Sequence, residues 1–264
     1  MRIAWVGHST VLVELDGVRL LTDPLLRGRV LHLRRTGPVA WEALHDLDAV
    51  LVSHAHYDHL DLPSLRRLGR SLPLVVPRGA GRLLRRQGFE EVVELESGGE
   101  TRVGPLTVRA THAEHEGRRR PFGWRAPAVG FLVSGSAQVY FAGDTDLFEG
   151  MSSLAPDLDV ALLPVAGWGP RLPPGHLDPL RAAEALRLLR PRVAVPIHWG
   201  TYRRIGLSRE PAALREPAES FARLAAELAP DVDVRVLPVG GTLDLPESAG
   251  TRPAGLASDS GRSD

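Results

Sequence analysis

An α/β fold, with strands in both halves of the chain and helices set between them, is predicted by three observations on these 264 residues. Short apolar runs rich in β-branched residues recur along the chain and end in polar or glycine-marked loops. Hairpin signals stand far apart, at Asp16-Gly17 and at Ser134-Gly135-Ser136. Two segments carry apolar residues at the 0, 3, 4, 7 spacing of a helix buried along one face. No repeat of fixed period competes with this reading.

Taken in order, "VLVELDGVRLLTDP" (11–24) reads as two strands around Asp16-Gly17. "DAVLVS" (48–53) and "LPLVVP" (72–77) are compact buried strands, with short helices near 61–69 and 79–87, the second stopped by Gly88. "PLTVRATH" (105–112) is a strand, and "AVGFLVSGSAQVYFAGDTD" (128–146) is a hairpin. "DVALLPV" (159–165) and "RVAVPIHWG" (192–200) are buried strands leading into loops. Between them Asp178 caps a helix with Pro179 in its first turn and Ala182, Ala185, Leu186 and Leu189 on one face. The same spacing at Phe221, Leu224, Ala225 and Leu228 predicts a second helix, and "VDVRVLPVGG" (232–241) a last strand. Residues 1–246 are expected to form one domain; the small, polar stretch 247–264 is expected to be a disordered tail.

Composition narrows the chemistry. Apolar residues make up 43% and charged residues 24%, as in an ordinary globular protein. Basic and acidic residues balance at 32 each, which argues against a general nucleic-acid binder. Every basic residue is arginine, so a Schiff-base lysine is excluded. The absence of cysteine excludes disulfides, thiolate ligands and a cysteine nucleophile, so any metal must be held by nitrogen and oxygen. Neither a signal-peptide run nor a membrane-spanning stretch is present, which makes the cytoplasm the expected location.

The stretch "SHAHYDHLD" (53–61) carries three histidines and two aspartates directly after a buried strand. His54 and His56, two apart at a strand end, can point to one side. Asp58 and His59, beyond a turn, can face the same cavity. Imidazole nitrogen with carboxylate oxygen suits zinc, manganese or iron. His115, Asp144 and His198 each follow a predicted strand; with the loop they make seven ligands, enough for two divalent ions, with zinc preferred.

"SHAHYDHLD", "FAGDTD" (141–146) and "VPIHWGTY" (195–202) resemble the metallo-β-lactamase superfamily. "WVGHSTVLVE" (5–14), "LLTDP" (20–24), "THAEH" (111–115) and "HLDP" (176–179) are similar to one branch of it. That branch holds the ascorbate-6-phosphate lactonases and the N-acyl-phosphatidylethanolamine-hydrolysing phospholipases D. The resemblance implies a four-layer αββα sandwich with metals at one edge of the paired sheets. It implies that His54, His56 and His115 hold one ion, that Asp58, His59 and His198 hold the other, and that Asp144 bridges them. Where the family often has proline this chain has His112, which is expected to be a neighbour, with His115 the ligand. By the same pattern Asp23 is the candidate support for the ligands, and His8 either stands near the cavity or is a buried histidine satisfied by backbone. His32 and His45 have no motif and are expected on the surface.

Two ions sharing a water would hold a hydroxide at neutral pH, so hydrolysis of a phosphodiester, lactone or related ester is the expected reaction. Asp58 is a candidate proton acceptor, and His176 a proton donor to the leaving group or a substrate contact. A redox side branch of the superfamily has glutamate at the position of His56, so the histidine favours hydrolysis. The arginine run 116–125 is either a solvated face or an anion contact, and Trp124, Trp168 and Trp199 are candidate cavity walls. The expected partner is a small-molecule substrate, with an anionic one favoured by those arginines. The competing reading is a catalytically silent metal-binding scaffold.

Overall fold

The computed structural model describes residues 1–117, 119, 125–167, 172–206 and 211–246. The expected tail at 247–264, Trp124, Trp168 and part of the arginine run lie outside the described residues. The first half holds β1 (Arg2–Gly7), β2 (Thr10–Leu15), β3 (Val18–Thr22), β4 (Arg29–Val30), β5 (Leu33–Arg35) and β6 (Ala49–Leu51). α1 (Leu62–Leu68), β7 (Leu74–Pro77), α2 (Gly81–Arg86) and β8 (Val92–Leu95) follow. The second half begins with β9 (Glu100–Val103), β10 (Leu106–His112), β11 (Val129–Ser134), β12 (Gln138–Phe141) and β13 (Val160–Pro164). It ends with α3 (Pro179–Leu189), β14 (Val193–Ile197), β15 (Tyr202–Arg204), α4 (Pro211–Leu228), β16 (Asp233–Val234) and β17 (Thr242–Asp244).

The strands form two mixed sheets, ordered β17-β1-β2-β3-β6-β7-β8 and β16-β14-β13-β12-β11-β10-β9, and a small third one, β15-β5-β4. The two large sheets pack face to face around Trp5, Leu20, Phe131 and Phe141, all fully or nearly fully buried. Leu65 of α1 and Leu84 of α2 cover the outer face of the first sheet, packing with Val50 and Val76. Ala182, Leu186, Phe221 and Ala225 of α3 and α4 join the core on the side of the second. The result is the expected αββα sandwich. It explains why β1 and β14 are apolar on both faces: each lies between two layers, so period-2 alternation is lost.

Local signals act as their chemistry dictates. Asp16 and Gly17 both take positive φ (50° and 77°), the backbone of a tight hairpin turn between β2 and β3. The Asp178 side chain accepts from the Arg181 N–H at 2.8 Å and starts α3.

One expectation needs correction, and another gains its bounds. The predicted strand 232–241 pairs with β14 only over Asp233–Val234. Pro238 and Gly241 then turn the chain (Gly241 N–H to Pro238 O, 2.8 Å), and it crosses to pair with β1 as β17. The second amphipathic helix also starts ten residues before Phe221 and runs through Pro217. One missing hydrogen bond there is tolerated because Ala218, Phe221 and Ala225 are buried below it.

Candidate metal centre

Within each large sheet, the strands that carry chemistry run the same way. β1, β3 and β6 are mutually parallel in the first sheet, as are β10, β12, β13 and β14 in the second. Their C-terminal ends deliver His8, Asp23, the 53–59 loop, His115, Asp144 and His198 to one edge of the sandwich. A close backbone approach makes this possible. Gly143 (φ 62°) lies so near β6's end that a Cβ there would sit 2.6 Å from the Ser53 Cβ. An isolated bridge between Glu114 and Asp146 then brings His115 alongside Asp144.

Three imidazoles meet first. His54 Nε2 lies 2.9 Å from His56 Nδ1, which lies 3.2 Å from His115 Nε2. Beside them, His59 Nε2 is 3.2 Å from Asp144 Oδ2 and 3.6 Å from Asp58 Oδ2. His198 Nε2 is 3.4 Å from Asp144 Oδ1 and 3.9 Å from Asp58 Oδ2. Asp144 stands between the two groups, its Oδ2 3.9 Å from His54 Nε2.

The outward nitrogens are fixed by hydrogen bonds, and this sets the tautomers. His59 Nδ1–H donates to Asp23 Oδ2 at 2.7 Å. Asp23, fully buried, also accepts from the Ser53 N–H at 2.7 Å and the Ser53 hydroxyl at 2.5 Å. The Ser53 oxygen in turn takes the Nδ1–H of His54 at 2.9 Å. His115 Nδ1–H donates to Gly175 O at 2.7 Å. Each of these rings therefore turns its Nε2 inward, the atom that would meet a cation.

Electrostatics agree with a cation site. Burial, helped by neighbouring His59 and His115, pushes His54 well below the usual histidine range. Burial lowers His115 to about 4 and, with repulsion from His198, His8 to about 3; it also lowers His56 and His198. These imidazoles are neutral and can coordinate. Burial opposes ionisation of Asp58 and Asp144, yet the surrounding histidines hold both carboxyls well below their ordinary value. His59 resists the same burial and is raised well above its ordinary value by Asp144, Asp58 and Asp23. Two anionic side chains among nitrogens that, His59 apart, are neutral call for further positive charge. His59 Nε2 and Asp144 Oδ1 are also buried without a well-directed hydrogen bond among the described residues. Nitrogen and oxygen donors spaced in this way fit divalent cations such as zinc.

A sequence profile of the β-lactamase superfamily domain matches residues 18–199. The chain belongs to the metallo-β-lactamase superfamily. A metal-dependent hydrolase of Methanopyrus kandleri is 35% identical over 248 residues, covering 91% of this chain and 98% of the relative. An N-acyl-phosphatidylethanolamine-hydrolyzing phospholipase D of Caenorhabditis elegans is 32% identical over 225 residues, covering 75% of this chain and 63% of that protein. Among solved structures, a metallo hydrolase from Ignicoccus hospitalis superposes with a TM-score of 0.70 at 27% identity, covering 93% and 99% of the two chains. This member of the superfamily is a metal-dependent hydrolase.

In this superfamily member the predicted residues fall as follows. His54, His56, Asp58, His59, His115, Asp144 and His198 all reach the centre. His112 does not: it is exposed, 3.4 Å from Glu114 Oε2 and packed edge-on against Phe148. His176 lies at the rim, its Nε2 3.7 Å from Asp144 Oδ2 and its Nδ1–H bound to Pro173 O. His32 and His45 are exposed. Trp199 packs against Trp5, ring centroids 4.7 Å apart and tilted by 30°, and borders a cavity of about 50 Å³ together with His8, His198 and Leu214.

Three residues have roles that sequence reasoning did not assign. Ser53 links Asp23 to His54. Gly175 (φ 82°) presents its carbonyl to His115 where a Cβ would lie 3.2 Å from that ring. Arg119, from the arginine run, donates from Nη1 to the carbonyls of Ala55 (2.8 Å) and Leu60 (3.0 Å) and lies over the Tyr57 ring. It thereby fastens the histidine loop. Only a serine flanking the first histidine and a glycine before His176 hinted at these contacts.

Proposed function

We propose that this hydrolase cleaves a small phosphodiester, lactone or related ester with two divalent cations, preferably zinc, in the centre described above. His54, His56 and His115 would hold one and Asp58, His59 and His198 the other, with Asp144 between them. One observation carries the reading: all seven side chains bring a ring nitrogen or carboxylate oxygen within 4 Å of another of the set, from both sheets, with both carboxylates ionised and every ring except His59 held at or below the ordinary histidine range. When bound, such cations would lower the pKa of a water at neutral pH and would polarise the oxygen on which charge grows.

The chain's own groups do the rest. Asp58, ionised and at the rim of the loop, accepts the proton of the attacking water. His176 faces the site through Nε2 and delivers a proton to the departing oxygen. Asp23 and Gly175 hold His59 and His115 so that no ring must reorient during the reaction. An anionic substrate suits the net positive charge that such cations leave at the rim. A silent scaffold would gain nothing from a histidine placed at the rim beside the ligands, and the relatives are named for hydrolysis.

The test is metal analysis together with turnover of bis(p-nitrophenyl) phosphate and of a simple lactone. Asp58→Asn is expected to lose about 10²–10⁴-fold in kcat; full activity with intact metal content would refute the role. His176→Gln is expected to lower kcat with metal retained, and an unchanged rate would remove it from the mechanism.

A further inference from the structure

We propose that His8 is a positioning residue for the second cation, holding Asp58 with its side chain and His198 with its backbone. The inference rests on the two-cation reading above. His8 follows directly on β1 and is 1% exposed, so its ring has no alternative place to go. Its Nε2 lies 3.3 Å from Asp58 Oδ2 and faces that carboxylate, within reach of an N–H on this nitrogen. Its carbonyl accepts the His198 N–H at 3.0 Å and the Trp5 indole N–H at 2.8 Å. Its own N–H donates to the Thr201 hydroxyl at 2.7 Å, three residues beyond His198.

Both histidines hold left-handed backbone, φ 55° at His8 and 64° at His198, and their rings pack with centroids 4.1 Å apart, tilted by 52°. Residues other than glycine seldom adopt such a conformation, histidine more readily than most, and two of them side by side mark a place held by its surroundings. His8 therefore joins the end of β1 in the first sheet to the end of β14 in the second, at the point where Asp58 and His198 must share one ion. His54, His59 and His115 have their outward nitrogens fixed by Ser53, Asp23 and Gly175; His8 does the corresponding work for Asp58.

Two substitutions separate this role from mere structure. Asparagine tolerates left-handed φ, but its amide nitrogen reaches only as far as Nδ1, short of Asp58. Glutamine places an amide N–H near the Nε2 position. Both keep the backbone bonds to His198 and Thr201. Stepwise zinc affinities, from chelator competition on the metal-free protein, are read beside the melting temperature of each metal-free variant. His8→Asn is expected to weaken the second zinc about 10–100-fold with the first unchanged, and His8→Gln to restore most of that loss. Equal second-zinc affinity in the parent and His8→Asn would overturn the inference. So would equal loss of both ions with a lowered melting temperature, which marks a structural role. A cobalt(II) spectrum showing one imidazole fewer in His8→Asn would also overturn it, because His8 would then be a ligand. A parent protein that bound fewer than two zinc ions would instead overturn the reading on which the inference stands.

Discussion

Replacing Asp23 by asparagine changes one atom and reverses the polarity of a buried junction. Asp23 accepts three hydrogen bonds, from the Ser53 N–H, the Ser53 hydroxyl and His59 Nδ1–H, the last at 2.7 Å. An asparagine can keep its oxygen on the Ser53 N–H, but its NH₂ then faces two donors. His59 is relieved of that clash only by moving its proton to Nε2, the nitrogen a cation would take. A hydrogen bond to a charged partner contributes about 1.5–3 kcal/mol. At about 1.4 kcal/mol per tenfold, the second zinc should bind roughly 10–100-fold more weakly. The first should weaken less, because Asp23 reaches His54 only through Ser53. Ser53→Ala, which cuts only that relay, should show the opposite order. Chelator competition measures both affinities, and heteronuclear NMR of the ring nitrogens reports the His59 tautomer. Parent-like affinity for both ions in Asp23→Asn, with His59 still protonated on Nδ1, would refute the argument.

Gly143→Val should abolish metal binding and cut stability by several kcal/mol, since its side chain would enter Ser53 and its φ of 62° disfavours any branched residue; denaturant melts and metal content check this. Arg119→Ala should leave metal-free stability within about 1 kcal/mol but loosen the loop it fastens at Ala55 and Leu60, raising amide exchange there; unchanged exchange would contradict the clamp. In metal-free protein, the stability that depends on His8 and His115 staying neutral should be intact above pH 6.5 and fall as the pH drops from 6.5 toward 4. The unfolded chain binds protons there that His8 and His115, lowered to about 3 and about 4, refuse when folded. Each such histidine costs about 1.4 kcal/mol per pH unit. His59, raised when folded, has the opposite sign: its contribution is full below 6.5 and is lost only as the pH rises through its elevated value. Urea melts at pH 7 and pH 5 measure the difference, and equal or greater stability at pH 5 would refute it.

Much of the site was legible from the chain because the residues proposed as ligands sit on motifs whose local chemistry is self-contained. A histidine pair two apart after a strand, a capped helix at Asp178 and a left-handed Asp16-Gly17 turn need only neighbouring residues to be recognised. Contacts made across the fold left weaker marks. The crossing of 235–244 from one sheet to the other was invisible because its apolar pattern continues that of a strand; the pairing with β1 comes from 240 residues away in sequence. Arg119 read as one more charge in a run, since the carbonyls it binds are some 60 residues earlier.

The sequence by itself determined which atoms are available to a cation, because the order of histidines and aspartates and the lack of cysteine leave only nitrogen and oxygen. Tertiary structure alone decided which histidine turns inward, placing His115 in the centre and His112 in solvent three residues away. It also decided that His8 meets Asp58. Ring orientation is set by partners such as Gly175 and Asp58, which become neighbours only when two sheets close face to face.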